Sequence, residues 1–419
     1  MAVLTLAWKS LLNRRFTALL TLLSIALSCA LLLGVERIRH ETRQAFTQSV
    51  SGTDLVVGAR SGAVNLLLYA VFHIGNPTNN ISWQSYREIA AHPKVDWTIP
   101  ISLGDSHRGY RVVGTSPDFF TYYKYGAKQP LDFAYGKPFE GVYEAVAGSE
   151  AAASLGYALD QEIVIAHGAG NVSFAEHGDK PFRLAGILAP TGTPVDRSLF
   201  VSLQGITAIH VGWQGGAPVP GLKIPASAAA KLAKEPSDIT AFFVGLKSKL
   251  ATFNLQRHIN QYLQEPLTAA LPGVALEELW GMMALAEKAL MAMSFMVVLV
   301  GLTGMLSLML SALNERRREM AILRALGANP WQILLLVVGE SLFLTLSGIL
   351  AGLLLLYALL WQAQPLIQNR LGLFLPINPP SSTEVMLMGA VLLAGLLAGL
   401  VPGLRAYFYS LADGMNIRV

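Results

Sequence analysis

The sequence predicts an α-helical membrane protein: four transmembrane helices, with a large α/β extracytoplasmic domain between the first and the second. Three observations predict it. The 419 residues are 53% hydrophobic and only 14% charged, with mean hydropathy +0.46, which is too apolar for an ordinary soluble protein. The apolar residues gather into one N-terminal run and three C-terminal runs, around a long region of ordinary composition. Once the spans alternate, every strongly basic segment beside a span falls on one side, as loops that resist translocation should. The net charge of +4 is met by these flanking residues and gives no reason to expect a nucleic-acid partner.

Residues 16–35 carry no charge, and roughly 20 helical residues cover about 30 Å, the thickness of a bilayer core. Lys9, Arg14 and Arg15 precede them and hold that end in the cytoplasm. Ala26, Leu27, Ser28 and Cys29 imitate a lipoprotein cleavage site, but Leu31, Leu32 and Leu33 carry the apolar run past it. That is long for a signal segment, so the expectation is an uncleaved span. Further spans are expected at 285–313, 333–361 and 385–404. Alternation then places 314–332 and 405–419 inside and 362–384 outside, the last a short loop in which Pro376, Pro379 and Pro380 argue against regular structure.

Residues 36–284 form the outer region, large enough for one or two domains. Its pattern is mixed α/β. Strands are expected at 54–57, 111–114, 161–165, 182–187 and 239–246. Helices are expected at 82–89, opened by a serine cap, at 149–155 and at 250–263. Gly215, Gly216, Pro218, Pro220, Gly221 and Pro225 mark a break near 211–225. Two subdomains are expected, one inserted near 130–210. Helical stalks should continue the first two spans outward, over 36–48 and 276–288. The single cysteine, Cys29, lies in an apolar run, so the outer region has no disulfides.

The segment Asn314, Glu315, Arg316, Arg317, Arg318, Glu319, Met320, Ala321, Ile322, Leu323, Arg324, Ala325, Leu326, Gly327, Ala328 carries the most information. It is short, highly charged and pinned at one membrane face by apolar runs on both sides. Met320, Leu323 and Leu326 recur at helical spacing, so a short amphipathic helix should lie at the cytoplasmic surface, where a soluble partner can grip it. Glu315, Arg316, Arg317, Arg318, Glu319 and Arg324 offer polar contacts, and Leu323 and Leu326 apolar ones.

Within the spans, Gly395, Gly399 and Gly403 repeat every fourth residue, as do Gly348 and Gly352. Such spacing lets helices approach closely, within one subunit or across a dimer seam. Glu340, about two turns inside the third span, should face other helices or water. It serves either a proton or substrate path or a polar contact that fixes helix packing.

No phosphate-binding P-loop, nucleophile elbow or zinc-protease helix occurs, so an enzyme is not expected. All eight histidines, His40, His73, His92, His107, His167, His177, His210 and His258, lie in the outer region. His167, Glu176, His177 and Asp179 are closest in sequence, yet no spacing matches a metal signature. The expectation is therefore no metal site. His167 and His177 are the pair that the intervening Gly168, Gly170 and Asn171 could bring together in a turn.

The order of one span, a large outer domain and three spans with a charged loop after the second resembles the FtsX-like and MacB-like permeases of ABC transporters, of the type VII, mechanotransmission kind. Four blocks carry the likeness over nearly the whole chain: residues 7–15, 186–196, 315–328 and 402–406. The resemblance implies a cytoplasmic amphipathic helix over 1–15 and a MacB-like periplasmic core. It implies a dimer of permeases, more readily two copies than two kinds, on an ABC ATPase dimer that binds ATP and Mg while this chain binds no cofactor. It further implies an inner-membrane location, contact with membrane lipid, a periplasmic or lipoprotein partner, and ATP-driven reshaping of the outer domains. The work done is lipoprotein handling, efflux or envelope export, or, without transport, control of cell-wall hydrolases. Residues 52–62, 65–69 and 75–80 resemble a proteobacterial subgroup encoded beside suspected zinc-handling envelope proteins, which raises zinc as a cargo of partners.

Overall fold

A computed structural model describes residues 15–168, 175–214, 217–219, 224–233, 235–315, 317–371 and 377–408. The expected helix over 1–15 and most of the 405–419 tail lie outside these residues. The chain forms two compact units, one from residues 43–282 and one from 1–42 with 283–419. Helix α1 (Arg15–Gln48) is continuous; residues 36–48 contain neither Gly nor Pro to stop it.

The outer unit is built on one mixed sheet. Its strands are β1 (Leu55–Ala59), β2 (Val95–His107), β3 (Tyr110–Thr115), β4 (Phe133–Gly136), β5 (Glu144–Ala147), β6 (Glu162–Ile163), β7 (Ala166–His167), β8 (Ala175–Glu176), β9 (Phe182–Leu188), β10 (Ser198–Ser202), β11 (Ala241–Leu246) and β12 (Leu267–Ala270). The order is β12-β1-β11-β2-β3-β10-β5-β9-β4, with β6 on β9, and the β7–β8 hairpin on β2. The β3–β10 and β5–β9 pairs are parallel.

Both faces are buried, which is why several strands read as unbroken apolar runs. Period-two alternation sorts their side chains. Val56, Val113, Val146, Phe200 and Phe243 enter a core on one face. Leu55, Val57, Phe242 and Val244 enter a second core on the other, and Val112, Ala145, Ala147, Leu199 and Val201 enter a third. The first core is closed by α2 (Ala63–Ala70) and α4 (Asp118–Tyr122). The second is closed by α3 (Trp83–Ala90) and α8 (Thr252–Asn260). The third is closed by α5 (Ser149–Leu155) and α6 (Leu203–Ile209). A further helix, α7 (Ala226–Leu232), follows α6. The serine cap is present: Ser82 Oγ accepts from the Ser85 N–H at the start of α3.

Residues 130–210 do not form the expected inserted subdomain. They supply β4 to β10 of the same sheet, because β10 runs parallel to β3 and joins the halves through five residue pairs, Ser198–Arg111 to Ser202–Thr115. Near 211–225 the described residues form a small hairpin, Trp213–Gln214 with Ala217–Pro218.

The other unit contains the remainder of the long helices. After α9 (Pro272–Glu315) come α10 (Arg317–Ala325), α11 (Pro330–Leu371) and α12 (Ser382–Phe408). Four stretches are long and apolar enough to cross a membrane: Ala18–Gln48, Pro272–Leu313, Pro330–Gln364 and Ser382–Phe408. Helix α11 continues through Pro365 to Leu371, so the start of the expected outer loop is helical.

The glycine stripes are seams within this unit. A Cβ on Gly395 would lie 2.3 Å from Thr345 Oγ1, and one on Gly399 2.4 Å from Ser341 Cβ. Gly403 approaches Val338, so all three pack α12 on α11. Gly348 and Gly352 face α1 instead, where an added Cβ would lie 2.6 Å from Ile25 Cγ2 and 2.7 Å from the Ala26 carbonyl. Ser341 Oγ donates to the Gly395 carbonyl at 2.8 Å, a contact that only the missing side chain permits.

A buried ion pair ties α1 to α12. Arg37 Nε and Nη2 each lie 2.9 Å from a Glu384 carboxylate oxygen, and both side chains are 3% exposed. Glu384 also accepts from the Ser381 N–H at 2.7 Å, while Ser381 Oγ accepts from the Glu384 N–H at 3.2 Å. This reciprocal capping box starts α12. The Arg37 guanidinium lies 5.1 Å from the Tyr357 ring centroid.

Two outcomes follow. Gly399→Leu should lower the thermal stability of the detergent-solubilised chain by about 1–3 kcal/mol or more through overpacking. Gly389→Leu, with nothing within 4 Å of its Cβ, should leave stability unchanged; equal melting curves for the two would place Gly399 against lipid. Glu384→Ala should cost about 3–5 kcal/mol by stranding a buried cation. The double substitution Arg37→Met, Glu384→Leu should recover much of that in denaturant unfolding.

Candidate functional site

Two places carry groups that packing alone does not explain. The first is α10. Met320 is buried in the helical unit's core, Leu323 is half-buried, and Ile322 and Leu326 are 52% and 80% exposed. The free apolar pair is therefore Ile322 with Leu326, one helical turn apart, where spacing had pointed to Leu323 with Leu326. Arg316 and the side chains of Glu315, Arg317, Arg318 and Glu319 lie outside the described residues, and Arg324 is half-buried.

The Leu-Gly-Ala sequence has a local cause. Gly327 takes φ +98°. Its N–H bonds the Arg324 carbonyl and the Ala328 N–H bonds the Leu323 carbonyl, both at 3.0 Å. That is a Schellman ending, which needs the left-handed residue that glycine supplies. Asn329 then opens α11, with its N–H bonded to Gln332 Oε1 at 3.1 Å and Pro330 in the first turn. Glu340 is half-buried on α11, beside Ser341.

The second place lies in the outer unit, where Asp105, His167, His177 and His210 converge. One ligand-capable atom from each lies within 4.8 Å of all the others. The fold assembles them by a change of register in β2. Leu103 pairs with Val113 and packs toward the first core. In a regular strand residue 105 would share that face. The register shifts between Leu103 and Asp105, so Asp105 pairs with Val112 and turns toward the third core. On its other edge Asp105 pairs with His167 of β7. The β7–β8 hairpin pairs Ala166 with Glu176 and delivers His177 beside His167, their ring centroids 4.9 Å apart. His210 caps the C-terminus of α6.

The hydrogen bonding is incomplete in a telling way. His210 Nδ1 lies 2.7 Å from the Ile206 carbonyl. A carbonyl only accepts, so that nitrogen carries the proton and Nε2 presents a lone pair. Nε2 faces His167 Nε2 at 2.8 Å, while His167 Nδ1 lies 2.8 Å from Asp105 Oδ1. His177 is wholly buried, and among the described residues neither ring nitrogen has a hydrogen-bond partner. Leaving such a group unpaired costs about 1–3 kcal/mol. Burial, reinforced by His210 and His167, pushes the His177 imidazole down to about 4. Burial also lowers His210, against the opposing pull of Asp105. Both rings are thus neutral near pH 7, the form that ligates metals.

His107, two residues from Asp105, is the contrast. Its ring nitrogens lie 2.5 Å from the Val164 carbonyl and 2.5 Å from the Tyr157 hydroxyl, so it is a satisfied core histidine. His92 and His258 meet at 5.3 Å between centroids on another part of the unit. Sequence spacing reached His167 and His177 but not Asp105 or His210, which are 62 and 43 positions from His167. It also missed Arg37 and Glu384, although Ser381 three residues before Glu384 is a capping-box signal.

Comparisons with known proteins bear on most of the chain. Residues 18–247 match the family model of the MacB-like periplasmic core domain, and residues 291–411 that of the FtsX-like permease C-terminal region. An uncharacterized ABC transporter permease of Methanocaldococcus jannaschii is 36% identical over 106 residues, 25% of this chain and 26% of that one. The match thus spans about a quarter of that relative's length. The periplasmic region of MacB from Actinobacillus actinomycetemcomitans aligns over 56% of this chain and 97% of its own, at 10% identity and TM-score 0.34. The extracellular domain of the noncanonic ABC-type transporter YknZ from Gram-positive bacteria aligns over 52% and 98%, at 12% identity and TM-score 0.32. With one family model covering more than half of its length and a second covering its C-terminal spans, the chain belongs to the FtsX-like, MacB-like family of ABC transporter permeases.

Proposed function

We propose that this chain is the membrane subunit of an ABC complex in a bacterial inner membrane, acting with a second copy of itself on a separate cytoplasmic ATPase dimer. Its termini and α10 face the cytoplasm, and the sheet domain faces the periplasm. ATP and Mg belong to the ATPase. Closing of the ATPase pulls on α10, and the work is delivered to the periplasmic domain by movement of the helices rather than by passage of a hydrophilic substrate between them.

The observation that carries the reading is α10 itself: a short amphipathic helix between two spans, anchored by Met320 and holding Ile322 and Leu326 out in the open. An apolar pair exposed beside a charged stretch suits a protein cleft better than water. The core of the helical unit is mainly apolar, with residues such as Ile25, Leu32, Val298, Leu302, Met305 and Ile349, and among the described residues buried polar groups such as Ser28, Ser341 and the Arg37–Glu384 pair bond to the backbone or to one another. Family membership supports the ATPase partner.

Ile322→Glu with Leu326→Glu should abolish co-purification of the ATPase, or uncouple its hydrolysis, while membrane insertion stays normal. Glu315→Lys with Glu319→Lys should do the same through the polar contacts. ATPase binding and cellular function at wild-type level in both double variants would remove α10 from the coupling path.

A further inference from the structure

We propose that Asp105, His167, His177 and His210 form a binding site for a divalent transition-metal ion of the zinc class, held by three imidazoles and one carboxylate. Nothing in the ABC reading requires such a site, and it stands on its own geometry.

Four features argue for an ion. The first is the donor set: three histidines and an aspartate are the residue types that bind zinc, and their number matches a tetrahedral shell. The second is the pair of facing Nε2 atoms of His167 and His210, 2.8 Å apart. With the His210 proton committed to the Ile206 carbonyl, something positive must lie between the rings or one ring must supply a proton. Two nitrogens on one tetrahedral zinc are about 3.3 Å apart, given bonds of about 2.0–2.1 Å. The rings need to open by only a few tenths of an ångström. The third is His177, fully buried beside both rings with no hydrogen-bond partner for either nitrogen among the described residues. A buried ring so placed has both nitrogens available to ligate an ion. The fourth is the bond of His210 Nδ1 to a backbone carbonyl, the outer contact by which proteins orient metal-bound imidazoles.

The nearby cation does not oppose the site. Lys180 is buried, but its ammonium lies 2.8 Å from Asp179 Oδ2, which answers its charge. Trp213 covers the cluster, with its ring centroid 4.3 Å from that of His177 and 5.1 Å from that of His167. Thiolates are absent and imidazole predominates, which favours zinc, cobalt, nickel or copper over calcium or magnesium. The ligands come from β2, the β7–β8 hairpin and the end of α6, three segments far apart in sequence. The ion is thus a clip between β2, the β7–β8 hairpin and the end of α6.

The test uses the full chain in detergent, stripped with a chelator and titrated with cobalt(II), then with zinc(II) in competition. The expected result is one cobalt per chain with the visible spectrum of a tetrahedral site, displaced by one zinc. His177→Gln and His210→Gln should each weaken zinc binding on the order of 100-fold or more, and Asp105→Asn about 10–100-fold. His258→Gln should leave binding unchanged. Circular dichroism melts without metal show whether each variant folds, and zinc should raise the melting temperature of the wild type but not of His210→Gln. Overturning results are less than one equivalent of tetrahedral cobalt in the folded wild type, or zinc affinity unaltered in folded His210→Gln.

Discussion

The outer unit depends on one strand changing partners midway. From Val95 to Ile101, β2 is hydrogen-bonded on one edge to β11; at Asp105 and Ser106 that edge belongs to β7, while β3 pairs with the other edge from Ile101 to His107. A strand that serves three neighbours must re-aim itself, and the irregularity after Leu103 does so. Thr240, fully buried, bridges the gap by accepting from the Leu103 N–H at 3.0 Å. The same irregularity lets the sheet extend from the β11 side to the β10 side without a break. It also reverses which face Asp105 occupies, so architecture and ligand placement have a common origin.

The helical unit solves a different problem. Inside a bilayer the hydrophobic effect does not press helices together, so close contact of small residues and polar groups must do it. Helix α11 meets α1 along Gly348 and Gly352 and meets α12 along Gly395, Gly399 and Gly403. Hydroxyls complete the seams: Ser341 donates to the Gly395 carbonyl, and Ser28 on α1 donates to the Ser24 carbonyl at 2.8 Å and approaches the Val297 carbonyl of α9 at 3.2 Å. The Arg37–Glu384 pair closes one end of this arrangement.

Much of this was legible in the sequence, for definite reasons. Spans announce themselves because twenty uncharged residues admit few other readings. Strands such as those around Val56, Val113 and Phe243 were readable because burial on two faces leaves apolar runs. The serine cap at Ser82 and the helix over 149–155 were local signals. What escaped notice was non-local. An insertion near 130–210 was a fair inference from composition, but pairing of β10 with β3 joins residues nearly ninety positions apart, and no local pattern encodes it. Asp105 carries no sequence signal, because only the register shift turns it toward the cluster. His210 stood only as one of eight outer histidines, and its second nitrogen acquires meaning only beside His167. Helix α11 runs on through Pro365 to Leu371, although an interior proline removes one backbone hydrogen bond.

The glycines of the spans differ in a way that has practical use. Gly304, Gly339 and Gly389 have open space where a side chain would go, unlike their counterparts in the seams. The chain's single cysteine, Cys29, is buried against Gly352 and thus shielded from bulky thiol reagents. The protein is in effect a cysteine-silent background. A cysteine placed at any of the three open positions gives a unique attachment point for a spin label or fluorophore. Distances between such labels would test the proposed ATP-driven helix motion without disturbing the contacts that hold the helices together.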